Sequence, residues 1–395
     1  MKLTNFSSIQ ASAVVPMNGS EVSRLRTGYE EMIAHLTRPP FAYAAEDDGV
    51  IESIDQKAGI MVVRYKNGSR HAVEFGAQYT NNSANGFFVN QEVVINNFKV
   101  GDKVKKDDIL TYNRQFFQAD PYSKNTVRYR IGTMANVAIL DNGGTIEDAS
   151  ILTQPLCDKM VFNPVHVNTI TITTDTVVRK FTHIGDLVNS TDPLMVFDES
   201  PFTPGKEDDP AIIAELEKLN TASPKAGHTG TVVKIEAYYK SPLTGMTKSL
   251  QELIKHAIAT KNQQAVAAAR ANNSSEFLKS EPLLNVDKIG GIIDLTPTTV
   301  VLKFYIKQNK GMGIGDKLFF CNNLKSVASQ VYPDYIEVED GSLKVEAATS
   351  GRGVLNRIIC SPFISGICNN VLKTLEDQCL QIWFGEDFDP LRHQK

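Results

Sequence analysis

The sequence predicts a mostly β protein with some α-helix, built from more than one compact unit. Three observations support this class: repeated runs of alternating apolar and polar residues, Gly- and Asn-containing turn signals between them, and only a few stretches with helical periodicity. The chain has 395 residues, which is more than the roughly 250–300 residues at which a single hydrophobic core stops growing. We therefore expect two or more cores.

The strand patterns follow one another along the chain. Residues 49–76 alternate apolar and polar side chains and turn at Lys66-Asn67-Gly68, which predicts a hairpin. Residues 134–140 form an apolar run before a Gly-Gly turn, and residues 167–181 have the strict alternation of one half-buried strand. Two further runs, GTVVKIEAYY and TTVVLKFYI, predict two more strands.

Helical signals are fewer. Asp209-Pro210 predicts a helix start before residues 211–219. Ser249 with Glu252 forms a capping box that predicts a helix over residues 249–271. The apolar residues of its first turns share one face: Leu250, Leu253, Ile254, Ala257 and Ile258.

Two further segments complete this outline of the chain. A last helix is predicted near 366–383, with an apolar stripe formed by Ile367, Val371, Leu372, Leu375 and Ile382. Segments 197–210 and 220–230 are rich in Pro, Gly, Ser and charge, which predicts a mobile tip.

Composition excludes several classes of protein. Apolar residues make up 42% of the chain, and no run approaches the ~20 apolar residues of a membrane helix. The first residues lack the apolar stretch of a secretory signal, so we expect a cytoplasmic protein. The net charge of -4 does not suit a free-standing nucleic-acid binder. The five cysteines lack CxxC spacing, so we expect buried, reduced thiols and no zinc.

Two local motifs are candidates for phosphate chemistry. Glu147 and Asp148 follow a Gly-Gly turn, and such a carboxylate pair suits Mg²⁺ bound together with substrate phosphates; the alternative is a solvated acid pair. Lys317 and Lys325 lie in a glycine-punctuated segment, where lysines could bind phosphate as point charges. However, Gly-Asp-Lys also occurs at Lys103, and Gly-Asp is ordinary turn chemistry, so Lys317 could equally be a solvated loop residue.

Other catalytic motifs do not occur in the sequence. It contains no GxxxxGK[ST], GxGxxG, HExxH or GxSxG. P-loop, metalloprotease and serine-hydrolase functions therefore have no support.

The order of short motifs along the chain carries a family resemblance. The motifs are IQASAVVP, RTGYEEMIA, DDGVIESID, VGDKVKKDDIL, IGTMANVAILDNGGTIEDASIL, GTVVKIEA, VVLKFYIKQNKGMGIGDKL and GVLNRIICSP. This series resembles the C-terminal half of the β subunit of multisubunit DNA-directed RNA polymerases, in the split form encoded by giant (jumbo) bacteriophages. The strongest matches are Gly132, Asn136, Val137-Ala138, Gly144, Glu147-Asp148-Ala149, and Lys317 with Lys325.

The resemblance implies a specific fold. It predicts a double-psi β-barrel interrupted by an inserted flap-like domain, together with a smaller N-terminal β-rich, barrel-sandwich-like region. The implied divisions are an N-terminal region at 1–125, barrel halves at 126–165 and 299–345, a flap-like insertion at 166–298 with its helical segment 249–271, and a C-terminal extension at 346–395 with a helix. In such a fold Asp148 and Lys317 would face the same cleft, and Lys103 would lie elsewhere.

Residue roles also follow from the resemblance. Lys317 and Lys325 would contact phosphates of the RNA 3′ end and of the nucleotide. Asp148, helped by Glu147, would reach the second catalytic Mg²⁺ directly or through water, while the principal Mg²⁺ ligands belong to the β′ subunit. The nearby Arg352 and Arg357 would contribute to phosphate binding.

Some family residues are replaced in this chain. The family's GRHGNKG reads FCNNLKS at 320–326, so its Arg and His become Cys321 and Asn322. The Arg of the family's QRQAVP is Ala11. Arg352 and Arg357, other lysines or partner chains would therefore take over phosphate recognition.

The implied partners are β′-type subunits, an N-terminal β fragment and a promoter-specificity subunit at the flap, together with DNA template, RNA product and nucleoside triphosphates, and no membrane. The protein would act in the cytoplasm of the infected bacterial host or be packaged in the virion. Two other classes stay open: a non-catalytic structural or virion protein that keeps the same fold, and a β-rich interaction module without a polymerase link.

Overall fold

The computed structural model of the chain describes residues 17–25, 28–82, 87–120, 123–199, 220–259, 288–289, 293–320, 324–339, 341, 343–356 and 360–385. The structure is 42% strand and 20% helix by residue, which confirms the predicted mostly β class. The chain divides into two compact units. Unit 1 contains Ala44–Thr111 and Asn163–Asn309, with Met1–Val14 outside the described residues. Unit 2 contains Val15–Tyr43, Tyr112–Phe162 and Lys310–Lys395.

The main sheet of unit 1 is antiparallel at each pairing between its longer strands. Its strands run in the order β6-β13-β21-β18-β15, with β5 paired to β6. Their bounds are β5 (Gly76–Asn82), β6 (Phe87–Ile95), β13 (Pro164–Thr173), β15 (Leu187–Val188), β18 (Gly230–Tyr239) and β21 (Thr299–Lys307). Two more strands are β1 (Ala42–Ala44) and β8 (Ile109–Asn113).

The core of unit 1 forms on one face of β21. Val300, Leu302, Phe304 and Ile306 alternate along this strand and have no exposed surface, as the period of two in a strand requires. They pack in one cluster with the predicted apolar face of a helix over residues 248–259 (α3). The prediction that these apolar residues share one face is therefore confirmed, and the structure shows that this face is buried.

Smaller sheets complete unit 1. A four-stranded sheet has the order β4-β3-β2-β7, and a three-stranded one the order β14-β16-β17. The predicted hairpin at Lys66-Asn67-Gly68 is confirmed as the turn between β3 and β4. The bounds are β2 (Gly49–Asp55), β3 (Ile60–Tyr65), β4 (Arg70–Glu74), β7 (Lys103–Val104), β14 (Val177–Phe181), β16 (Met195–Asp198), β17 (Thr221–Ala222), and the paired β19 (Lys288–Ile289) and β20 (Ile293–Asp294).

Two local predictions in unit 1 are wrong. Residues 167–181 do not form one strand, because the Thr176 hydroxyl and N–H bond back to Thr173 and close a turn between β13 and β14. Ser249 does not cap α3, which starts at residue 248 after Thr247. The Thr247 hydroxyl accepts the Leu250 N–H, whereas the Ser249 hydroxyl accepts the Val178 N–H of β14.

Unit 2 is built on a five-stranded sheet of order β11-β26-β12-β23-β22. The pairs β11–β26 and β12–β23 are parallel, whereas β12–β26 and β22–β23 are antiparallel. The bounds are β11 (Val137–Ile139), β12 (Ala149–Thr153), β22 (Lys317–Phe320), β23 (Leu324–Tyr332) and β26 (Ala347–Thr349). No closed barrel is found in the described part of the chain.

Unit 2 also contains helices and two short strand pairs. The strand pairs are β9 (Phe117–Ala119) with β10 (Val127–Tyr129) and β24 (Ile336–Glu337) with β25 (Lys344–Val345). The helices are α1 (Tyr29–Leu36), α2 (Gln154–Lys159), α4 (Gly351–Asn356) and α5 (Ser361–Phe384). Helix α5 confirms the helix predicted near 366–383. The helix predicted over 211–219 lies outside the described residues.

The cysteine prediction is only partly correct. Cys157 is fully buried, and this burial raises the pKa of its thiol, so it is a packing residue. Cys360 and Cys379, which were predicted to be buried, are exposed on or beside α5. Across the described residues, no helix is long and apolar enough to span a membrane.

Candidate functional site

The sheet of unit 2 brings the two predicted site segments side by side. Glu147 and Asp148 immediately precede β12, Lys317 opens β22, and Lys325 is the second residue of β23. Strand β23 pairs with β12 along one edge and with β22 along the other. Two segments that are distant in sequence are thus neighbours in one sheet.

The strand register puts the two lysines on the same face. Lys317 lies opposite Val327, and Lys325 lies two residues before Val327 on the same strand. Directly paired residues, and residues two apart, share a face of a sheet, so Lys317 and Lys325 are diagonal neighbours about 7–8 Å apart. Both are exposed. Two flexible ammonium groups at this spacing can reach one phosphate together.

Asp148 is fixed by its backbone to the same strand. Its carbonyl oxygen accepts the Val327 N–H at 2.8 Å and the Ser326 hydroxyl at 2.6 Å. The Cα atoms of Asp148 and Lys317 are therefore separated by about two strand spacings, roughly 10 Å. The Asp148 side chain is exposed, so its carboxylate can meet a ligand on this part of the sheet.

Buried hydroxyl groups hold the two segments in register. Ser150 and Ser326 are buried, and their hydroxyls contact each other between β12 and β23. The Ser329 hydroxyl donates to the carbonyls of both Ser150 and Gly144. Because a buried hydroxyl without a partner is costly, these bonds favour one register over a slipped one.

Glu147 has an unusual backbone conformation. Its φ of 54° lies in the left-handed region, which is uncommon for residues other than glycine. A Cβ placed on Gly353 of α4 would meet the Glu147 carbonyl oxygen at 3.0 Å, so this short helix lies directly against the turn. The surroundings thus hold Glu147 in a conformation that a free chain would avoid.

Arg352, one of the two predicted arginines, contributes less to this geometry. The Arg352 side chain is 84% exposed and pairs with Asp141, with 3.6 Å between Nε and Oδ2. Asp141 also accepts the Ser350 hydroxyl and the Gly351 N–H. Arg357, together with Cys321 and Asn322 at the altered family positions, lies outside the described residues.

The Gly-Asp turn before Lys317 is a recurring structural device. The Asp316 carboxylate accepts the Gly313 N–H, the Asp316 N–H donates to the Gly313 carbonyl, and Gly315 has a φ of 89°. The turn that ends in Asp102, before Lys103, repeats the same bonds to Lys99. Three further copies end in Asp108, Asp186 and Asp192. Gly-Asp therefore builds the turn, and the chemistry belongs to the residue that follows it.

The lysines after these turns stand in different places. Lys103 belongs to β7 of unit 1, where it lies opposite Val50, whereas Lys317 belongs to unit 2. Because the two lysines share their preceding turn, Lys103 is a natural control for Lys317.

Glu147 and Asp148 fit a cation site to which another molecule also contributes ligands better than a site built by this chain alone. Among the residues that the structure describes, no group of three or more His, Cys, Asp or Glu is arranged to hold a metal. Asp148 and Glu147 could supply one or two oxygen ligands, which is what Mg²⁺ commonly takes from a protein beside phosphates and water. The remaining ligands would have to come from another chain or from a substrate.

Sequence reasoning missed a polar cluster in unit 1. The Glu236 carboxylate accepts hydrogen bonds from the Tyr238 hydroxyl (2.8 Å), the Tyr305 hydroxyl (2.7 Å) and Lys234 (2.6 Å between Nζ and Oε1). Burial tends to raise the pKa of Glu236, but these bonds outweigh it and the net shift is downward. The alternation of Lys234, Glu236 and Tyr238 along β18 could have indicated from the sequence that they share a face. That Tyr305 joins them follows only from the pairing of β18 with β21.

A scan against protein-family models and a search of curated protein sequences each found no match to the chain.

Proposed function

We propose that this chain is the β-type subunit, corresponding to a C-terminal β fragment, of a phage multisubunit DNA-directed RNA polymerase. It would act in template-directed nucleotidyl transfer only together with a β′-type subunit. The chain would supply Lys317 and Lys325 as phosphate-binding groups and Asp148, assisted by Glu147, as an acidic group near the nucleotide.

The arrangement of β12, β23 and β22 is the observation that carries this proposal. The resemblance predicts that the Glu-Asp-Ala and Gly-Asp-Lys segments meet in one barrel on either side of an insertion. In the sheet of unit 2 these segments occupy strands that share β23 as a neighbour. If the motifs matched the family only by chance, we would not expect them both to follow the family's order in sequence and to lie on neighbouring strands of one sheet.

The chemistry suits phosphoryl transfer. Such reactions depend mainly on positioning and on stabilising negative charge, and less on covalent participation by the protein. Lys317 and Lys325 would hold phosphate oxygens from one face of the sheet, and Asp148 would orient a cation from the adjoining strand. Bound Mg²⁺ would supply charge neutralisation at the reacting oxygens, with its main ligands on the β′-type chain.

The same sheet supports the proposed double-psi barrel. Strands β11 and β12 precede the proposed flap-like insertion at 166–298, and β22, β23 and β26 follow it, yet all five interleave in one sheet. Two parallel pairs within it, β11–β26 and β12–β23, join strands from opposite sides of the insertion.

The surface of unit 2 supports function within an assembly. Of the 25 large apolar side chains that are exposed among the described residues, only Val100, Ile184 and Leu187 belong to unit 1, and the other 22 belong to unit 2. Apolar surface on this scale commonly marks contacts with other proteins. We propose that β′-type chains and the N-terminal β fragment cover it, and that a promoter-specificity subunit binds at the flap.

A purified complex provides the test. The tagged chain would be isolated with its companions from infected cells and assayed for extension of an RNA primer on a DNA template. We expect Lys317→Ala and Lys325→Ala each to lower the extension rate by roughly 100-fold, as loss of one charge-stabilising donor typically does. Lys103→Ala, which follows the same turn in unit 1, is the matched control and should extend at the wild-type rate.

Two outcomes would favour the other classes of protein. A complex that contains this chain and extends RNA normally with Lys317→Ala and Asp148→Ala would indicate a non-catalytic structural subunit. Isolation of the chain alone, with no nucleotide-polymerising companion, would indicate an interaction module without a polymerase link.

A further inference from the structure

Helix α4 begins where two parallel strands of unit 2 end side by side. Strand β11 pairs with β26, with Ile139 opposite Thr349, and the Leu140 N–H donates to the Thr349 carbonyl at 3.0 Å. Parallel neighbours run in the same direction, so the residues that follow them come out at the same edge of the sheet. The pairing therefore brings Asp141, which follows β11, to Ser350, which precedes α4.

Asp141 and Ser350 together satisfy the first turn of α4. The Asp141 Oδ1 accepts the Ser350 hydroxyl at 3.0 Å and the Gly351 N–H at 3.1 Å. The Ser350 side chain is buried, and its hydroxyl oxygen accepts the Gly353 N–H at 3.2 Å. The first N–H groups of a helix have no acceptor within it, so these two side chains fix where this short helix lies.

Gly353 places α4 directly against the turn that carries Glu147. A Cβ on Gly353 would lie 3.0 Å from the Glu147 carbonyl oxygen, which is closer than an ordinary contact. The φ of Gly353 is not positive, so its backbone conformation does not call for glycine. The close approach to the Glu147 carbonyl therefore accounts for a glycine at this position of the helix.

The turn at Glu147 needs a restraint from outside. The Ala149 N–H donates to the Ile146 carbonyl at 3.1 Å, so Glu147 and Asp148 are the two central residues of a β-turn. Of these two, Glu147 alone has a positive φ, as in a type II′ turn, where the first central residue is usually glycine. A glutamate in this conformation persists only where its surroundings hold it.

The conformation of Glu147 sets the direction of Asp148. The Glu147 carbonyl, which belongs to the peptide bond between the two residues, packs against α4. The next carbonyl, that of Asp148, accepts the Val327 N–H and the Ser326 hydroxyl. The backbone between these two contacts has little freedom left, so the exposed Asp148 side chain leaves the turn in a direction that α4 and β23 determine together.

We propose that Asp141 is a positioning residue for Asp148 and acts through α4. The Asp141 carboxylate fixes the helix, the helix packs on the Glu147 carbonyl, and the turn presents Asp148 on the sheet that carries Lys317 and Lys325. The Asp141 carboxylate is already used within the chain, so it acts on α4 and not on a ligand. Its effect on RNA extension rests on the proposed function, whereas its effect on the turn does not.

Hydrogen exchange in the full-length chain tests the effect on the turn. Exchange of backbone amides in segment 146–149 would be followed by mass spectrometry. We expect Asp141→Ala to speed this exchange by roughly fivefold, because loss of a capping side chain frees the helix that packs on the turn. Asp141→Asn keeps an oxygen acceptor and should exchange as wild type does. Asp192→Ala removes a similar acceptor from a turn of unit 1 and should not change exchange in this segment.

RNA extension by the purified complex tests the effect on function. Asp141→Ala should lower the extension rate by roughly tenfold and raise the Mg²⁺ concentration needed for half-maximal rate, because a displaced carboxylate orients a cation less well. Asp141→Asn should restore both values. In an Asp148→Ala background, Asp141→Ala should cause little further loss, because it acts through Asp148. A residue with a structural role alone would lower the rate by the same factor in both backgrounds.

Two glycine variants test the contact between α4 and the turn. Gly353→Ala brings a methyl group against the Glu147 carbonyl and should lower the extension rate, again with little further loss in the Asp148→Ala background. Gly245→Ala is the matched control, because Gly245 ends a one-turn helix (Leu243–Gly245) in unit 1 and a Cβ there would meet no atom within 4 Å. It should extend RNA at the wild-type rate.

The outcomes separate this proposal from the polymerase assignment. Unchanged exchange of segment 146–149 in Asp141→Ala would overturn the role of Asp141, whatever the extension rates are. An equal loss of extension from Asp141→Ala with and without Asp148 would overturn it as well. Faster exchange in Asp141→Ala, together with normal extension by Lys317→Ala and Asp148→Ala, would support the hold of α4 on the turn and overturn the polymerase assignment instead.

Discussion

At the residue scale, Glu147 combines a strained backbone with a predicted role. Its left-handed conformation costs a residue with a Cβ roughly 1–2 kcal/mol, whereas glycine adopts it freely. Glu147→Ala keeps this cost and removes the carboxylate, while Glu147→Gly removes both. We therefore expect Glu147→Gly to have the higher free energy of unfolding, by about 1 kcal/mol, in urea denaturation followed by circular dichroism.

The preceding residue supplies the control for this comparison. Ile146 is 65% exposed and does not have a positive φ. There the order should reverse, with Ile146→Ala more stable than Ile146→Gly, because glycine only adds freedom to the unfolded chain. If alanine and glycine were equally stable at position 147, the backbone would not be strained. Loss of RNA extension in the stabilised Glu147→Gly variant would then assign a function to the carboxylate itself.

At the element scale, five turns among the described residues share one hydrogen-bonding pattern, and they end in Asp102, Asp108, Asp186, Asp192 and Asp316. The residue before the Asp has positive φ in four of them, where it is Gly in three cases and Asp107 in one, whereas Thr191 in the remaining turn does not. The repeated Gly-Asp-Lys had indicated turn chemistry, and this is confirmed. The repeated tripeptide could not indicate which of the two lysines, Lys103 or Lys317, lies near Asp148.

Two glycines of the last turn allow a matched test. A Cβ at Gly313 or Gly315 would meet no atom within 4 Å, but only Gly315 has a positive φ, at 89°. Gly315→Ala should therefore lower the free energy of unfolding by roughly 1–2 kcal/mol through backbone conformation alone. Gly313→Ala should leave it unchanged or raise it slightly. Thermal unfolding of the two variants would decide, and equal midpoints would contradict this account of the turn.

The elements also show what the sequence could predict. Alternation predicted β18 and β21, because each strand buries one face in the core of unit 1. The break between β13 and β14 was missed, since a threonine hydroxyl closes that turn without Gly, Pro or Asn. Ser249 matched a capping box, but its hydroxyl is used by β14, a contact that no local pattern specifies.

The candidate site, too, could be predicted only in part from the sequence. The order of motifs selected Asp148, Lys317 and Lys325, but their proximity depends on the parallel pairing of β12 with β23. That pairing joins segments that are distant in sequence, and periodicity within a strand carries no information about its partner.

At the scale of the whole molecule, α5 exposes most of its apolar stripe. Polar contacts tie the helix to the rest of unit 2: the Asn369 side chain accepts the Ser23 hydroxyl and the Leu25 N–H, and Glu376 pairs with Arg24. The sequence predicted the stripe, but a stripe alone cannot tell whether this chain or another one covers it. Ile367, Val371 and Ile382 are 65%, 53% and 85% exposed.

This exposed stripe predicts how the isolated chain behaves in solution. Without its proposed partners, we expect the purified chain to self-associate through α5, because burying each such side chain is favourable by roughly 1.5–3 kcal/mol. Replacing Ile367, Val371 and Ile382 together by Lys should shift the chain toward monomer in light scattering, with a thermal midpoint close to that of wild type, since exposed side chains contribute little to folding. Leu187→Lys, at a 76% exposed position of unit 1, is the control and should not change the association. If the triple variant associated as strongly as wild type, the stripe would not be the surface through which the chain self-associates.

If the variant were monomeric but still entered the RNA-extending complex, partner binding in that complex would lie elsewhere on unit 2.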